Sequence, residues 1–181
     1  MKSIISILIL TLSGTFASAQ SVFEVDLKNI STDQTVSLSD FKSSKGIAVV
    51  FMSAKCPYAK YYEQRLQKMI KDYRDKGITF LMVNANSSEP NDLMKSQAKT
   101  LNAKYLLDSS RQLASLLGAK KSPEVFLLKG DGTKYYMGAI DDNPQVATDV
   151  KVNYLKGAID ALLAGKSKPV NSGRPVGCMI K

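Results

Sequence analysis

The sequence predicts an α/β domain, and three stretches carry that expectation. Residues 46–54 (GIAVVFMSA) and 77–86 (GITFLMVNAN) are nearly continuous apolar runs, the pattern of strands buried on both faces. Between them apolar residues recur at helical spacing. Strand, helix and strand thus follow in the order that produces a parallel pair with a right-handed crossover. Farther on, EVFLL and TKYYMGAI flank the turn Gly130-Asp131-Gly132 and read as a β-hairpin.

The elements follow in order from the N-terminus. Lys2, the apolar stretch 4–12 and the small residues Ala17-Ser18-Ala19 make residues 1–19 a secretory signal, too short to serve as a permanent membrane anchor. The expected location is therefore outside the cytoplasm, in a periplasm or the extracellular space. Cleavage leaves one compact domain over residues 20–165, and no later run is apolar enough for a transmembrane anchor. FEVDL and TVSL read as short strands joined by the polar turn 29–34. After the strand at 46–54, Pro57 suits the first position of a helix, where its missing N–H is no loss. Tyr62, Leu66, Met69, Ile70 and Tyr73 form the buried face of that helix.

Beyond the second buried strand come a helix at 91–101, a short strand at 104–107 and a helix at 111–117. Gly118 serves the last of these as C-cap. A final amphipathic helix is expected over residues 148–163, with Val152, Leu155, Ile159 and Leu162 facing inward. The last sixteen residues, KSKPVNSGRPVGCMIK (166–181), lack periodicity and read as a flexible tail carrying Cys178.

Composition narrows the chemistry. Twenty-five Lys and Arg against sixteen Asp and Glu give a net charge of +9, spread along the chain rather than gathered in one block. Without a nucleic-acid motif, nucleic acid is not an expected partner. A basic face suits an acidic surface of the cell envelope, and simple solubility is the plainer reading. The chain has no histidine, which removes Ser-His-Asp and Cys-His catalysis and the usual zinc sites. Two cysteines alone cannot close a structural zinc site, so neither a metal nor another cofactor is expected.

Those two cysteines are Cys56, in SAKCPYAKYYEQRL at the strand-to-helix junction, and Cys178 near the C-terminus. Strand–Cys-Pro–helix–strand, a further helix, then x-Pro, a hairpin and a closing helix resembles the thioredoxin superfamily. Three stretches carry the likeness: FMSAKCPY, LLDSSRQLASLLGAKKSPEVFLL and KGDGTKYYMGAIDD. The resemblance covers most of the mature chain, about residues 22–164, and the nearest likeness is to exported redoxins and peroxiredoxin-like proteins, whose members often end in a Gly-Cys tail. The resemblance implies a three-layer sandwich, a central mixed β-sheet flanked by helices. It also implies a cis-proline at Pro123 and a substrate groove formed by Pro57, Tyr58, Ser122 and Pro123 opposite Cys56. Two departures stand out. The residue three after Cys56 is Ala59, so the usual C-x-x-C disulfide cannot form. The peroxiredoxin pattern of Pro, Thr/Ser and Cys lacks its Pro, although Ser53 fills the hydroxyl position.

A sulfur at a helix N-terminus meets unpaired N–H groups and a partial positive charge, which favour the thiolate. Cys56 is thus a nucleophile candidate that needs no histidine, with Lys55 and Lys60 nearby in sequence and Ser53 placed to donate to the sulfur or to a peroxide oxygen. Cys178 is the thiol available to resolve the resulting intermediate. The expected function is an exported thiol oxidoreductase acting on a protein disulfide or a peroxide, with a thiol-exchanging protein as partner. The alternative is a non-catalytic binding module locked by a structural Cys56–Cys178 disulfide. Copper handling by the two thiolates is a third, weaker reading.

Overall fold

The computed structural model describes residues 20–86, 88–167, 169 and 172–181, so the expected signal at 1–19 lies outside the described residues. After a 3-10 turn at Val22–Glu24 come β1 (Asp26–Asn29), β2 (Thr35–Ser37) and β3 (Gly46–Phe51). Then follow α1 (Pro57–Arg74), β4 (Ile78–Asn84), α2 (Asn91–Leu101), β5 (Lys104–Leu107) and α3 (Gln112–Leu117). The chain ends with β6 (Lys121–Ser122), β7 (Glu124–Lys129), β8 (Lys134–Gly138), α4 (Tyr154–Leu163) and β9 (Cys178–Met179). Seven strands form one sheet in the order β2-β1-β5-β4-β3-β7-β8, while β6 and β9 pair separately. Within the large sheet β3, β4 and β5 are parallel and the remaining pairs antiparallel, which makes it mixed.

The strand period of two builds three layers from this sheet. Every residue of β3 is buried. Ala48 and Val50 point into a core with α1, α2 and α4, whereas Ile47, Val49 and Phe51 point into a second core with α3. β7 divides the same way, Val125 and Leu127 against Phe126 and Leu128. Phe51 and Phe126 meet edge-to-face across the pair, centroids 5.7 Å apart. On α1 the residues expected to face inward, Tyr62, Leu66, Met69, Ile70 and Tyr73, are all buried.

Two expectations need correcting. The stretch FEVDL is not one strand. Ser21 accepts from the N–H of Phe23 and turns the chain into a 3-10 segment before β1 begins. The closing helix starts at Tyr154 rather than at 148, so Val152 precedes it and is only half-buried. Asp142 Oδ1 accepts from the N–H groups of Lys151 and Val152, and the Asp142 N–H donates to Val152 O. Those bonds keep Lys151 and Val152 out of the helix, and only a separate 3-10 turn forms upstream, at Ala147–Asp149.

Candidate active site

The register of the sheet places the site. Phe51, the last residue of β3, pairs with Glu124, the first of β7. The turn before β7 therefore lies beside the loop that leaves β3. That turn holds the Ser122-Pro123 peptide, which is cis. From Phe51 the chain runs through Met52–Lys55 to Cys56, the N-cap of α1, with Pro57 at the first helical position. No side chain caps this helix, so its leading N–H groups face the cysteine's end without a competing acceptor.

Cys56 and Cys178 are joined as a disulfide, 122 residues apart in sequence with Cα atoms 6.0 Å apart. Cys56 is 2% exposed, whereas Cys178 is half-buried. The carbonyl oxygen of Ser122 lies 3.1 Å from Cys56 Sγ. A disulfide sulfur carries no hydrogen, so this is a close S···O contact; only a reduced thiol could donate there.

The end of the tail is docked backbone to backbone. β9 pairs antiparallel with β6, Cys178 opposite Ser122 and Met179 opposite Lys121. The Ile180 N–H donates to Lys120 O (3.0 Å), and the Lys181 N–H to Asn86 Oδ1 (2.9 Å). Upstream, the Ala139 N–H donates to Gly173 O at 2.9 Å. Two glycines permit this course. A Cβ on Gly177 would collide with Ser122 O and lie 2.6 Å from its carbonyl carbon. A Cβ on Gly173 would strike the Tyr154 ring. The receiving strand is fixed in turn by Glu124, whose carboxylate accepts from the N–H groups of Lys120 and Lys121.

A cleft of about 240 Å³ opens beside the disulfide, lined by Ser53, Lys55, Cys56, Asn86, Ser88, Glu89, Cys178, Met179 and Lys181. Glu89 organises it. Its carboxylate accepts from Ser53 Oγ, from the Ala54 N–H (2.7 Å) and from Asn84 Nδ2 (2.9 Å). Lys55 Nζ reaches Ser88 O at 3.0 Å.

Cys56, Cys178, Ser122 and Pro123 thus come together as anticipated from the sequence. Ser53 lines the same cleft, but its single hydroxyl proton is committed to Glu89 rather than to a sulfur. Tyr58 is half-buried against the core and edge-on to Tyr61, centroids 6.4 Å apart, and it does not line the cleft. Pro57 is exposed at the head of α1. Sequence reasoning missed Glu89, Asn84 and Asn86, all near the end of β4, and the steric role of Gly177. The Glu89-Pro90 pair just ahead of α2 was the one available signal. Among the described residues no three potential ligands are grouped to hold a metal, and no helix is long and apolar enough to cross a membrane.

Comparison with known proteins agrees with this fold. A solved structure of an uncharacterized conserved protein from Geobacillus kaustophilus superposes with a TM-score of 0.81 at 27% identity, covering 90% of each chain. A hypothetical protein from Sinorhizobium meliloti gives 0.80 at 27% identity, covering 93% of this chain and 96% of the other. A secreted disulfide oxidoreductase of Mycobacterium tuberculosis shares the fold at 16% identity, with a TM-score of 0.61 over 77% and 96% of the two chains. No curated protein sequence matches. The AhpC/TSA family matches residues 19–137, strand–Cys-Pro–helix unit and cis-proline turn included. The chain belongs to the AhpC/TSA family and is a redoxin of the thioredoxin superfamily.

Proposed function

We propose that this chain is an exported thiol-disulfide oxidoreductase that cycles between the Cys56–Cys178 disulfide and the dithiol. The observation that carries the reading is that the bond joins the sulfur of the N-cap residue of α1 to a tail sulfur laid across the cis-proline turn. In the reduced chain the unpaired N–H groups at the head of α1 favour a Cys56 thiolate. That thiolate attacks an oxidised substrate. With a protein disulfide, one substrate sulfur binds Cys56 and the other leaves as thiolate. Cys178 then attacks Cys56 Sγ, closes the intramolecular disulfide and releases the second substrate sulfur, so the substrate gains two electrons and the pair loses two. With a peroxide, the O–O bond breaks, one oxygen stays on Cys56 as a sulfenic acid and the other leaves as an alcohol or water; Cys178 then attacks Cys56 Sγ, expels water and closes the disulfide. A protein disulfide is the better-supported substrate, because among the described residues no arginine lines the cleft to bind a peroxide.

Replacing Cys56 by Ser should abolish turnover of any disulfide or peroxide substrate. Cys178→Ser should accumulate a mixed disulfide or sulfenic acid on Cys56. The reading fails if neither change alters turnover. A second reading, a binding module locked by the same disulfide, draws on the tail's docking contacts. It requires a bond that glutathione buffers leave intact at equilibrium, which a redox titration followed by mass spectrometry decides.

A further inference from the structure

Cys56 follows the carboxyl end of β3, and a larger cavity lies at the other end of the parallel strands. It has a volume of about 720 Å³ and is lined by Ile78 and Phe80 near the start of β4 and by Lys104 at the start of β5. Arg74, the last residue of α1, also lines it. At about 1.5 Å of rise per residue, that places the cavity roughly 25 Å along the helix from the cysteine. Lys95 and Lys99, one turn apart on α2, complete a cationic wall.

The wall carries charge of one sign. Arg74, Lys95, Lys99 and Lys104 are exposed, and none forms an ion pair among the described residues. No aspartate or glutamate among the described residues lines the cavity. Asp33 feels Lys95, but its pKa is lowered chiefly by its hydrogen bond to Lys28, and it stands outside the lining. The floor is of another kind: Ile70, Ile78 and Phe80 are 4%, 3% and 6% exposed. We infer that this cavity binds a small soluble organic phosphate, with its phosphate on the cationic wall and its apolar frame on the floor. The site is separate from the disulfide and does not depend on the proposed redox function.

A single exposed ion pair contributes little, but several cations around one concavity focus their field on whatever enters it. Without a counter-charge they repel one another, and a bound anion relieves that repulsion. Lysine ammonium groups act as point charges that suit a phosphate. Arg74 is preset for the task, since its Nη2 donates to Asn102 O at 3.0 Å and Asn102 is the left-handed C-cap of α2. The hydroxyls of Ser44 and Thr79 also line the cavity, 2.7 Å apart. One proton lies between them, which leaves the other O–H to donate to a phosphate oxygen. The volume falls within the range of about 300–1,000 Å³ typical of small-molecule sites. A bilayer fits less well, because the apolar residues here are recessed and offer nothing to insert into lipid.

Isothermal titration calorimetry on the full chain at low ionic strength tests the site, with 1-naphthyl phosphate as probe and inorganic phosphate for comparison. Lys95→Gln/Lys99→Gln removes two charges of the wall at exposed helical positions that Gln also suits. Lys151→Gln/Lys166→Gln removes two exposed charges elsewhere. Circular dichroism restricts the comparison to folded variants. One probe should bind per chain, with inorganic phosphate at least fivefold weaker. The first variant should weaken the probe at least tenfold and the second less than twofold. The inference is overturned if the probe does not saturate, if the first variant leaves binding unchanged, or if both variants weaken it equally. Inorganic phosphate binding as tightly as the probe would overturn the role of the apolar floor. Pelleting with phosphatidylglycerol vesicles that needs Lys95 and Lys99, without saturable probe binding, would mark a membrane-facing patch and overturn the inference as well.

Discussion

Gly177→Ala is the sharpest perturbation the geometry offers. The added methyl would meet Ser122 O and would lie 2.6 Å from Ser122 C and 3.0 Å from Pro123 N. These are backbone atoms of a turn tied to β7 and cannot swing aside like a side chain. The tail must lift instead. It then loses the β6–β9 pairing together with the bonds from Ile180 to Lys120 O and from Lys181 to Asn86 Oδ1. At about 0.5–1.5 kcal/mol net per hydrogen bond, two or three lost bonds cost roughly 1–4 kcal/mol. Replacing glycine stiffens the unfolded chain and returns about 0.4–1 kcal/mol. The oxidised protein should therefore lose about 1–3 kcal/mol in denaturant unfolding. Gly157 supplies the control, since it lies within α4 and a Cβ there meets nothing within 4 Å. Gly157→Ala should gain about 0.5–1 kcal/mol. If Gly177→Ala matches or exceeds wild-type stability while Gly157→Ala shows its gain, the tail is not seated against the cis-proline turn.

Other consequences can be checked separately. Ser122 Oγ is buried and has no hydrogen-bond partner among the described residues, so Ser122→Ala should raise the stability of the oxidised protein by about 1 kcal/mol in the same unfolding experiment. Glu89→Ala removes the acceptor shared by Ser53, Ala54 and Asn84 and should cost about 1–3 kcal/mol. Hydrogen–deuterium exchange at the Ala54 N–H should accelerate. Burial pushes the Tyr73 phenol up to about 12, reinforced by its hydrogen bond to Asp160. Burial likewise raises Tyr62, Tyr105 and Tyr136. These phenols keep their protons in the folded chain after the unfolded chain has lost them. Their contribution is complete below pH 10 and disappears as pH climbs toward 12 and beyond. Unfolding free energy measured at pH 9 and pH 11 should fall steeply between the two, and Tyr73→Phe should shallow that fall.

Much of the fold was legible because each central element repeats its own signal. The six residues of β3 and the inward stripe of α1 carry strand and helix character at every position, and the structure follows both. The closing helix was misjudged at its start because the deciding bonds are tertiary. Apolar spacing through Val152 suggests a helix, but Asp142 takes the N–H groups that a helix would need. The site divides in the same manner. Cys56 and Pro57 announce themselves through a local junction of strand, thiol and helix. Glu89 does not, since its bonds to Ser53 and Ala54 span 36 and 35 residues. Gly177 looks like a flexible tail residue until the cis turn is laid against it.

The position of the disulfide bears on what it is for. Small exported domains depend on such bonds when their cores are too slight to hold a fold. Here a seven-stranded sheet separates two buried clusters, and neither is built around the Cys56–Cys178 bond. Cys56 is one buried member of the first cluster, and Cys178 packs against that cluster from a pair of two-residue strands outside the main sheet. The tail's own hydrogen bonds at Gly173, Ile180 and Lys181 fall on both sides of Cys178 and do not pass through sulfur. Anchors of this kind would outlast the opening of the disulfide, keeping the two thiols at high effective concentration so that they close again without a search through the solvent. A bond needed only as a staple would gain nothing from a return path of this kind. For a bond that must break and re-form in each cycle, that path sets the rate of closure.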